Sequence, residues 1–218
     1  MRRRAQEKRD RVFRDAIAAA RHIGTADGLS GLTARRIARR VGCSVGTLYN
    51  VFGNLDTLIL HLNGETLDGL YDALSALELV QDPETAIRQI TVCYGRYTKE
   101  NARLWGILFE HIWPAGYVLP DWYPEKIHRL LDVLARALNS VLPDADEEEA
   151  FQAAAVLWSG LHGINSLAVS GKIGLISTDS VGAMTDLMVR SYLRGLPATF
   201  KNAASRKPNA AKRAVGDS

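Results

Sequence analysis

Two cysteines stand in 218 residues, Cys43 and Cys93. They lie far apart and match no metal-ligand or paired-thiol spacing, so a disulfide scaffold and a zinc site are both excluded and no metal is expected. No apolar run reaches the ~18 residues that a membrane span requires. The basic start, MRRRAQEKRDR, has no apolar segment after it, so it does not read as a secretory signal, and a reducing cytoplasm is the expected setting. There is no internal repeat, no strand-like alternation of any length, no glycine-rich phosphate loop and no nucleophile elbow. Nothing therefore points to a cofactor, and catalysis would rest on little more than His162.

What is there is a chain of ordinary composition, 47% hydrophobic and 23% charged, with its charge unevenly placed. Residues 1–56 hold 12 Lys/Arg and 5 Asp/Glu, a balance of +7. Residues 57–200 hold 10 and 18, a balance of −8, and residues 201–218 hold 5 and 1. A basic end on an acidic body is the electrostatic footprint of nucleic-acid binding.

The basic end contains TARRIARRVGCSVGTLYNVF, residues 33–52. Thr33 suits a helix N-cap, and Ala34, Ile37, Ala38 and Val41 follow at helical spacing. Gly42 can end that helix in a left-handed conformation. Ser44 can cap a second helix carrying Val45, Leu48 and Phe52 inward. Two short helices around a glycine-containing turn form a helix-turn-helix, whose second helix enters the major groove. Candidate DNA-binding residues are Thr33, Arg36, Ser44, Val45, Gly46, Thr47, Tyr49 and Asn50. Hydroxyls and helix-start amides suit phosphates, and an Asn amide can pair with adenine. A preceding helix, residues 7–24, offers Phe13, Ala16, Ile17 and Ala20 to close a three-helix unit. Arg2, Arg3, Arg4 and Lys8 before it read either as a phosphate-reaching arm or as disordered. Residues 25–32 read as a loop.

GCSVGTLYNVF, with LTARRIARRV before it and NLDTLI after it, resembles the DNA-binding domain of the tetracycline-repressor (TetR) family over roughly residues 10–60. Two positions depart from the family pattern. Val51 stands where members often carry His, and Leu55 where they usually carry Lys, and both usual residues touch the DNA backbone. The resemblance implies an all-α fold with an N-terminal helix-turn-helix domain (residues 1–56) and a larger helical ligand-binding and dimerisation domain (residues 57–200). Residues 201–218 read as a disordered basic tail.

The remaining helices follow from periodicity. One starts at Asn54 and runs to about residue 77, weakened by Gly64 and Gly69. Others cover residues 83–99, 101–111 (capped by Asn101), 123–141, 147–169 and 180–193. Acidic residues at 144–149 suit a helix start. Leu157 to Gly174 resembles a regulatory domain of some TetR members named for its Trp-His-Gly residues, here Trp158, His162 and Gly163. Small residues on that helix, among them Ala153, Ser159, Gly160 and Gly163, permit close approach of another helix. With Met184, Leu187 and Met188 they form the expected dimer interface, as the family's two-helix contribution to a four-helix bundle implies.

Aromatic residues crowd residues 90–125. Tyr94, Tyr97, Trp105, Phe109 and Trp122, with Trp158 and His162, are the candidate ligand-binding residues, since an apolar cavity with a few polar groups is the usual form of a small-molecule site. The expected function is a homodimeric, ligand-responsive transcriptional repressor. It would grip a palindromic operator in double-stranded DNA and be released by a small apolar or amphipathic effector. The alternatives are a DNA-packaging protein without a ligand, which the acidic body disfavours, and a helical enzyme using His162.

Overall fold

A computed structural model describes the backbone of residues 2–206 and the side chains of residues 2–200. Among the described residues there are nine α-helices, one short 3-10 turn and no strand. The expected all-α class is the observed one. The helices are α1 (Arg2–Gly31), α2 (Ala34–Val41), α3 (Val45–Phe52), α4 (Leu55–Ser75), α5 (Pro83–Glu100), α6 (Ala102–Glu110), α7 (Trp122–Leu138), α8 (Glu147–Val169) and α9 (Val181–Arg206), with the 3-10 turn Ile173–Leu175 before α9.

Local chemistry sets most helix starts. Thr33 Oγ1 accepts from the Arg36 amide, Ser44 Oγ from the Thr47 amide, and Asn54 Oδ1 from the Thr57 amide at 2.7 Å. Asp146 and Glu149 form a reciprocal capping box at the start of α8. Gly42 ends α2 at φ 76°, as its place in the sequence predicts. Asn101 differs from expectation. It precedes α6, but its side chain donates back to the Tyr97 carbonyl and caps nothing.

Three boundaries depart from the periodicity. α1 begins at Arg2 and runs on through residues 25–27, expected as a loop, to a break at Gly28 (φ 65°, ψ −158°). The basic start is thus helical, and Arg3 pairs with Glu7 one turn on. Gly24 does not terminate the helix. It is a buried contact point, where an added Cβ would meet Leu104 and Ile107 of α6 at 3.1 and 3.0 Å. α9 continues past residue 193, through Pro197, to Arg206. Pro197 has no amide hydrogen to give the helix ladder, and the helix nonetheless persists. The rest of the expected tail, residues 207–218, lies outside the described residues.

The chain divides into two compact units. Met1–Leu77 and Cys93–Leu130 form the first. Glu78–Val92 and the described chain from Leu131 form the second.

In the first unit the helix-turn-helix does not close a core by itself. Ala16, Ile17, Ala20 and Ile23 of α1 bury with Ile37 of α2 and with Leu48 and Phe52 of α3, and the same cluster takes in Leu58, Ile59 and Leu62 of α4 and Leu104 and Ile107 of α6. Gly64 and Gly69, read from sequence as weak points of α4, each lie against an aromatic side chain. A Cβ at Gly64 would stand 2.9 Å from the Trp122 ring, and one at Gly69 would stand 2.6 Å from the Tyr97 phenol oxygen. That phenol donates to the Thr66 carbonyl at 2.7 Å.

In the second unit α8 packs on α9. Tyr192 donates its phenol hydrogen to the Ala153 carbonyl at 2.7 Å. Arg88 of α5 pairs with Glu84 one turn back and with Asp186 of α9. Val189 and Leu157 are fully buried here.

Ile37 is 0% exposed at the centre of the first core. Truncation there leaves a cavity that rigid helices cannot close. Ile37→Ala is expected to lower unfolding free energy by about 2–5 kcal/mol, read from chemical denaturation. A loss well under 1 kcal/mol would mean that α2 is only loosely seated on α1.

Candidate nucleic-acid interface and small-molecule site

The recognition helix is held from one side and open on the other. Leu48 and Phe52 point into the core, at 1% and 6% exposure, while Gly46, Tyr49 and Asn50 are exposed. Phe52 stacks on Phe13 at 5.0 Å between centroids, tying the end of α3 to α1. Ser44 and Thr47 are engaged with each other, their hydroxyl oxygens 2.9 Å apart, so both belong to the helix cap as well as to the candidate interface. Val45 is half-buried.

Two expected contacts take another role. The Thr33 side chain is spent on capping α2. The Arg36 guanidinium pairs with Asp27 at 2.6 Å and also reaches the Gly31 carbonyl, so it braces the end of α1. Arg35, Arg39 and Arg40 are the exposed cations of α2 that sequence reading passed over. Their signal was the arginine run itself. Val51 and Leu55, the two departures from the family pattern, pack against the core. Arg9 donates to the Val51 carbonyl at 3.4 Å.

An aromatic series leads away from α3 within the first unit. His61 of α4 stands edge-on to Phe13 at 4.8 Å and stacks flat on Trp122 of α7 at 4.9 Å. Burial holds the His61 imidazole below its ordinary pKa; Glu65 opposes this and Lys126 adds to it. Lys126 and Arg129 of α7 both pair with Asp68 of α4, at 2.6 Å, and Arg129 lies over the Tyr71 ring.

The expected ligand-binding residues fall into two groups. Tyr94, Tyr97, Trp105 and Phe109 cluster in the first unit, with the Trp105 ring 5.7, 6.3 and 5.8 Å from the other three. Trp105 and Tyr94 are buried, Phe109 is 52% exposed, and burial raises the pKa of both tyrosines. Trp122 is in the same unit but stacks on His61. Trp158 and His162 belong to the second unit, where they stack on each other at 5.1 Å, and burial lowers the His162 pKa.

The second unit also holds a hollow of about 490 Å3, lined by residues 140–145 with Glu149, Pro197 and Phe200. Sequence reading missed it, because it forms where a turn meets the extension of α9 past Pro197.

The expected interface residues are similarly divided. Ala153 is 1% exposed, enclosed by its own chain, which leaves it no surface for a second copy. Gly160 faces Met188 of its own α9, so closely that a Cβ there would collide with the methionine side chain. Ser159, Gly163 and Leu187 are open, and Met184 is half-buried. Val156, 55% exposed, joins the open set and was not foreseen.

With this geometry in place, comparison with known proteins identifies the class. Residues 16–62 match the bacterial regulatory proteins of the tetR family, and residues 87–192 match the Tetracyclin repressor-like C-terminal domain. The chain belongs to the TetR family of DNA-binding transcriptional regulators. What is shown is the family rather than its Trp-His-Gly subtype. The chain is 26% identical, over 75% of its own length and 72% of the relative's, to an uncharacterized HTH-type transcriptional regulator of Mycobacterium tuberculosis, Rv0681. Its fold is similar to a protein of unknown function from Rhodococcus sp. RHA1 (TM-score 0.67, 21% identity, 85% of this chain and 95% of that one). It is also similar to RolR, solved with its ligand resorcinol (TM-score 0.63, 19% identity, 92% and 96%).

The lowered His61 pKa carries a sign. On acidification the unfolded chain takes up its proton first, near the ordinary value of 6.5, so stability falls as pH drops through that value. His162 adds in the same direction. Denaturation midpoints should therefore drop between neutral and mildly acidic pH. His61→Phe, which keeps a flat ring between Phe13 and Trp122, should show a smaller drop. An equal drop in parent and variant would remove His61 from the acid response.

Proposed function

We propose that the protein is a repressor that binds a palindromic operator as a homodimer and is released by a small-molecule effector. The observation that carries this reading is α3, capped by Ser44 and anchored by Leu48 and Phe52, with Gly46, Tyr49 and Asn50 left open. Ser44, Val45, Gly46, Thr47, Tyr49 and Asn50 would meet the major groove, with Thr33 and Arg36 shaping the flank. Two copies would present two such helices to successive major grooves, which is why the operator would be two-fold. Residues 1–56 would act as the reading head, and residues 57–200 would supply the effector site and the contact between copies, in the cytoplasm.

The effector site would involve Tyr94, Tyr97, Trp105 and Phe109, an apolar cluster of the first unit, with Trp122 as a further candidate there; Trp158 and His162 are a separate candidate within the second unit. RolR, of similar fold, was solved with resorcinol, and a small aromatic effector is the corresponding reading here. Such a ligand can shift the DNA-binding equilibrium only by its differential affinity for the two states, typically about 1–3 kcal/mol. The contact between copies would use the open stripe Val156, Ser159 and Gly163 of α8 with Leu187 of α9. That stripe is uncharged, and Val156 and Leu187 are apolar side chains more than half exposed.

The operator is found by selecting DNA from a random pool with the full chain and footprinting the winner. A protected two-fold site is expected, and uniform protection without a preferred sequence would favour a packaging protein. On that site Tyr49→Phe should weaken binding by about 1.5–3 kcal/mol at fixed salt, the loss of one hydrogen bond to a charged phosphate. Gel-shift affinity equal to the parent's would remove Tyr49 from the interface.

Assembly is read by sedimentation equilibrium. The parent should be a dimer at micromolar concentration. Val156→Glu combined with Leu187→Glu should leave monomers of unchanged helicity, since four like charges cannot be buried together. A monomeric parent would end the dimer reading, and a dimer that tolerates both glutamates would place the contact elsewhere.

A further inference from the structure

Three of the four buried side-chain polar atoms without a hydrogen-bond partner, among the described residues, lie around one aromatic group. They are Oδ1 and Nδ2 of Asn63 and Nδ1 of His111. Asn63 is 0% exposed on α4, among Leu58, Leu60 and Leu62, where a leucine would complete the core. Its neighbour across the helix contact is Tyr123 of α7, whose phenol burial pushes up to about 12 and the Asn63 amide pulls partly back. That approach satisfies neither amide atom. The Tyr123 ring lies 6.2 Å from Trp113, edge to face. Trp113 stacks on Tyr117 at 5.3 Å and stands edge-on to His111 at 4.4 Å. His111 closes the series, its Nε2 2.9 Å from Asp56.

The hydrogen-bonding needs of this group are specific. A carboxylate only accepts, so in the neutral imidazole His111 Nε2 carries the hydrogen towards Asp56 and Nδ1 is the acceptor. Asn63 presents one acceptor and one donor group. Two acceptors therefore lack hydrogens, and one donor lacks an acceptor, at the two ends of an aromatic wall. Leaving an amide buried and unpaired is costly, and native interiors seldom do it.

We propose that the Trp113–Tyr123 wall between Asn63 and His111 is a binding site for a small, neutral, hydroxyl-bearing aromatic molecule. The ring stacks on the wall. A hydroxyl gives its hydrogen to Asn63 Oδ1 and accepts from Nδ2, and a second polar hydrogen would meet His111 Nδ1. An anionic ring such as a benzoate is rejected, because its carboxylate has no hydrogen for either acceptor and Asp56 stands beside His111. This deepens the effector reading above and rests on it, but it seats the ligand on residues outside the Tyr94–Trp105–Phe109 cluster.

The test uses the full chain and three probes, phenol, toluene and benzoate, by calorimetric titration at millimolar concentration. Toluene has phenol's shape without its hydroxyl. The parent should bind phenol about tenfold more tightly than toluene, the worth of one buried neutral hydrogen bond, and benzoate not measurably. Asn63→Leu should keep the fold and lose most of that preference. Equal affinity for phenol and toluene, no phenol binding by the parent, or a preference that survives Asn63→Leu would overturn the site. The parent's contrast between phenol and toluene decides even if a variant fails to fold. Operator binding separates this site from the function. Release of DNA by another compound, without phenol binding, would sink the site and keep the regulator. Phenol binding through Asn63 with no effect on operator affinity would keep the site and sink its role as the effector's.

Discussion

The apolar cluster on α1 is the contact on which the first unit depends. Ala16 and Ala20 are completely buried, and their small side chains bring α1 close to its neighbours. Around them sit residues from the turn helices, from α4 and from α6, so no helix of the reading head has a core of its own. Protein interiors at native density transmit displacement because they have little free volume to absorb it. Leu48 and Phe52 of the recognition helix share that interior with Leu104 and Ile107 of α6. α6 and α3 therefore contribute side chains to one close-packed cluster.

Polar chemistry in this unit braces that core. Arg36 ties α2 to the end of α1 through Asp27, and Arg21 ties α1 to α4 through Glu65 at 2.9 Å. Both pairs are partly exposed and so contribute modestly to stability. Their value is directional, since a guanidinium fork holds its partner in one orientation. The Asp68 carboxylate, shared by Lys126 and Arg129, does the same between α4 and α7.

The reading head was legible because its signals are local. A cap, a glycine and a period of 3.6 residues occupy adjacent positions, and the caps at Thr33, Ser44 and Asn54 form where the sequence places them. The end of α1 was not legible, since Gly24 looks like a terminator in one dimension and is a packing contact in three. Asn101 misled for a similar reason: its amide found a nearer acceptor in the preceding turn. The expected interface was half legible. Small residues mark close helix contact, but spacing cannot say whether the neighbour is the same chain, as for Ala153 and Gly160, or another. Asn63 was invisible for a different reason. In the sequence it is one polar residue on a long helix, and only burial reveals that its amide atoms are left unsatisfied.

Gly69 and Tyr97 occupy one space. The phenol of Tyr97 fills the volume that any larger residue at position 69 would need, and it bonds to the neighbouring Thr66 carbonyl. Contacting residues of this kind respond to substitution together rather than additively. A side chain gained at position 69 requires the Tyr97 phenol to shift or to be replaced by something smaller, and a smaller residue at 97 leaves a void until 69 grows. In a fold shared by chains about one fifth identical, such pairs set the order in which mutations can be accepted. The route by which this helix contact diverges is therefore narrower than the number of tolerated sequences suggests.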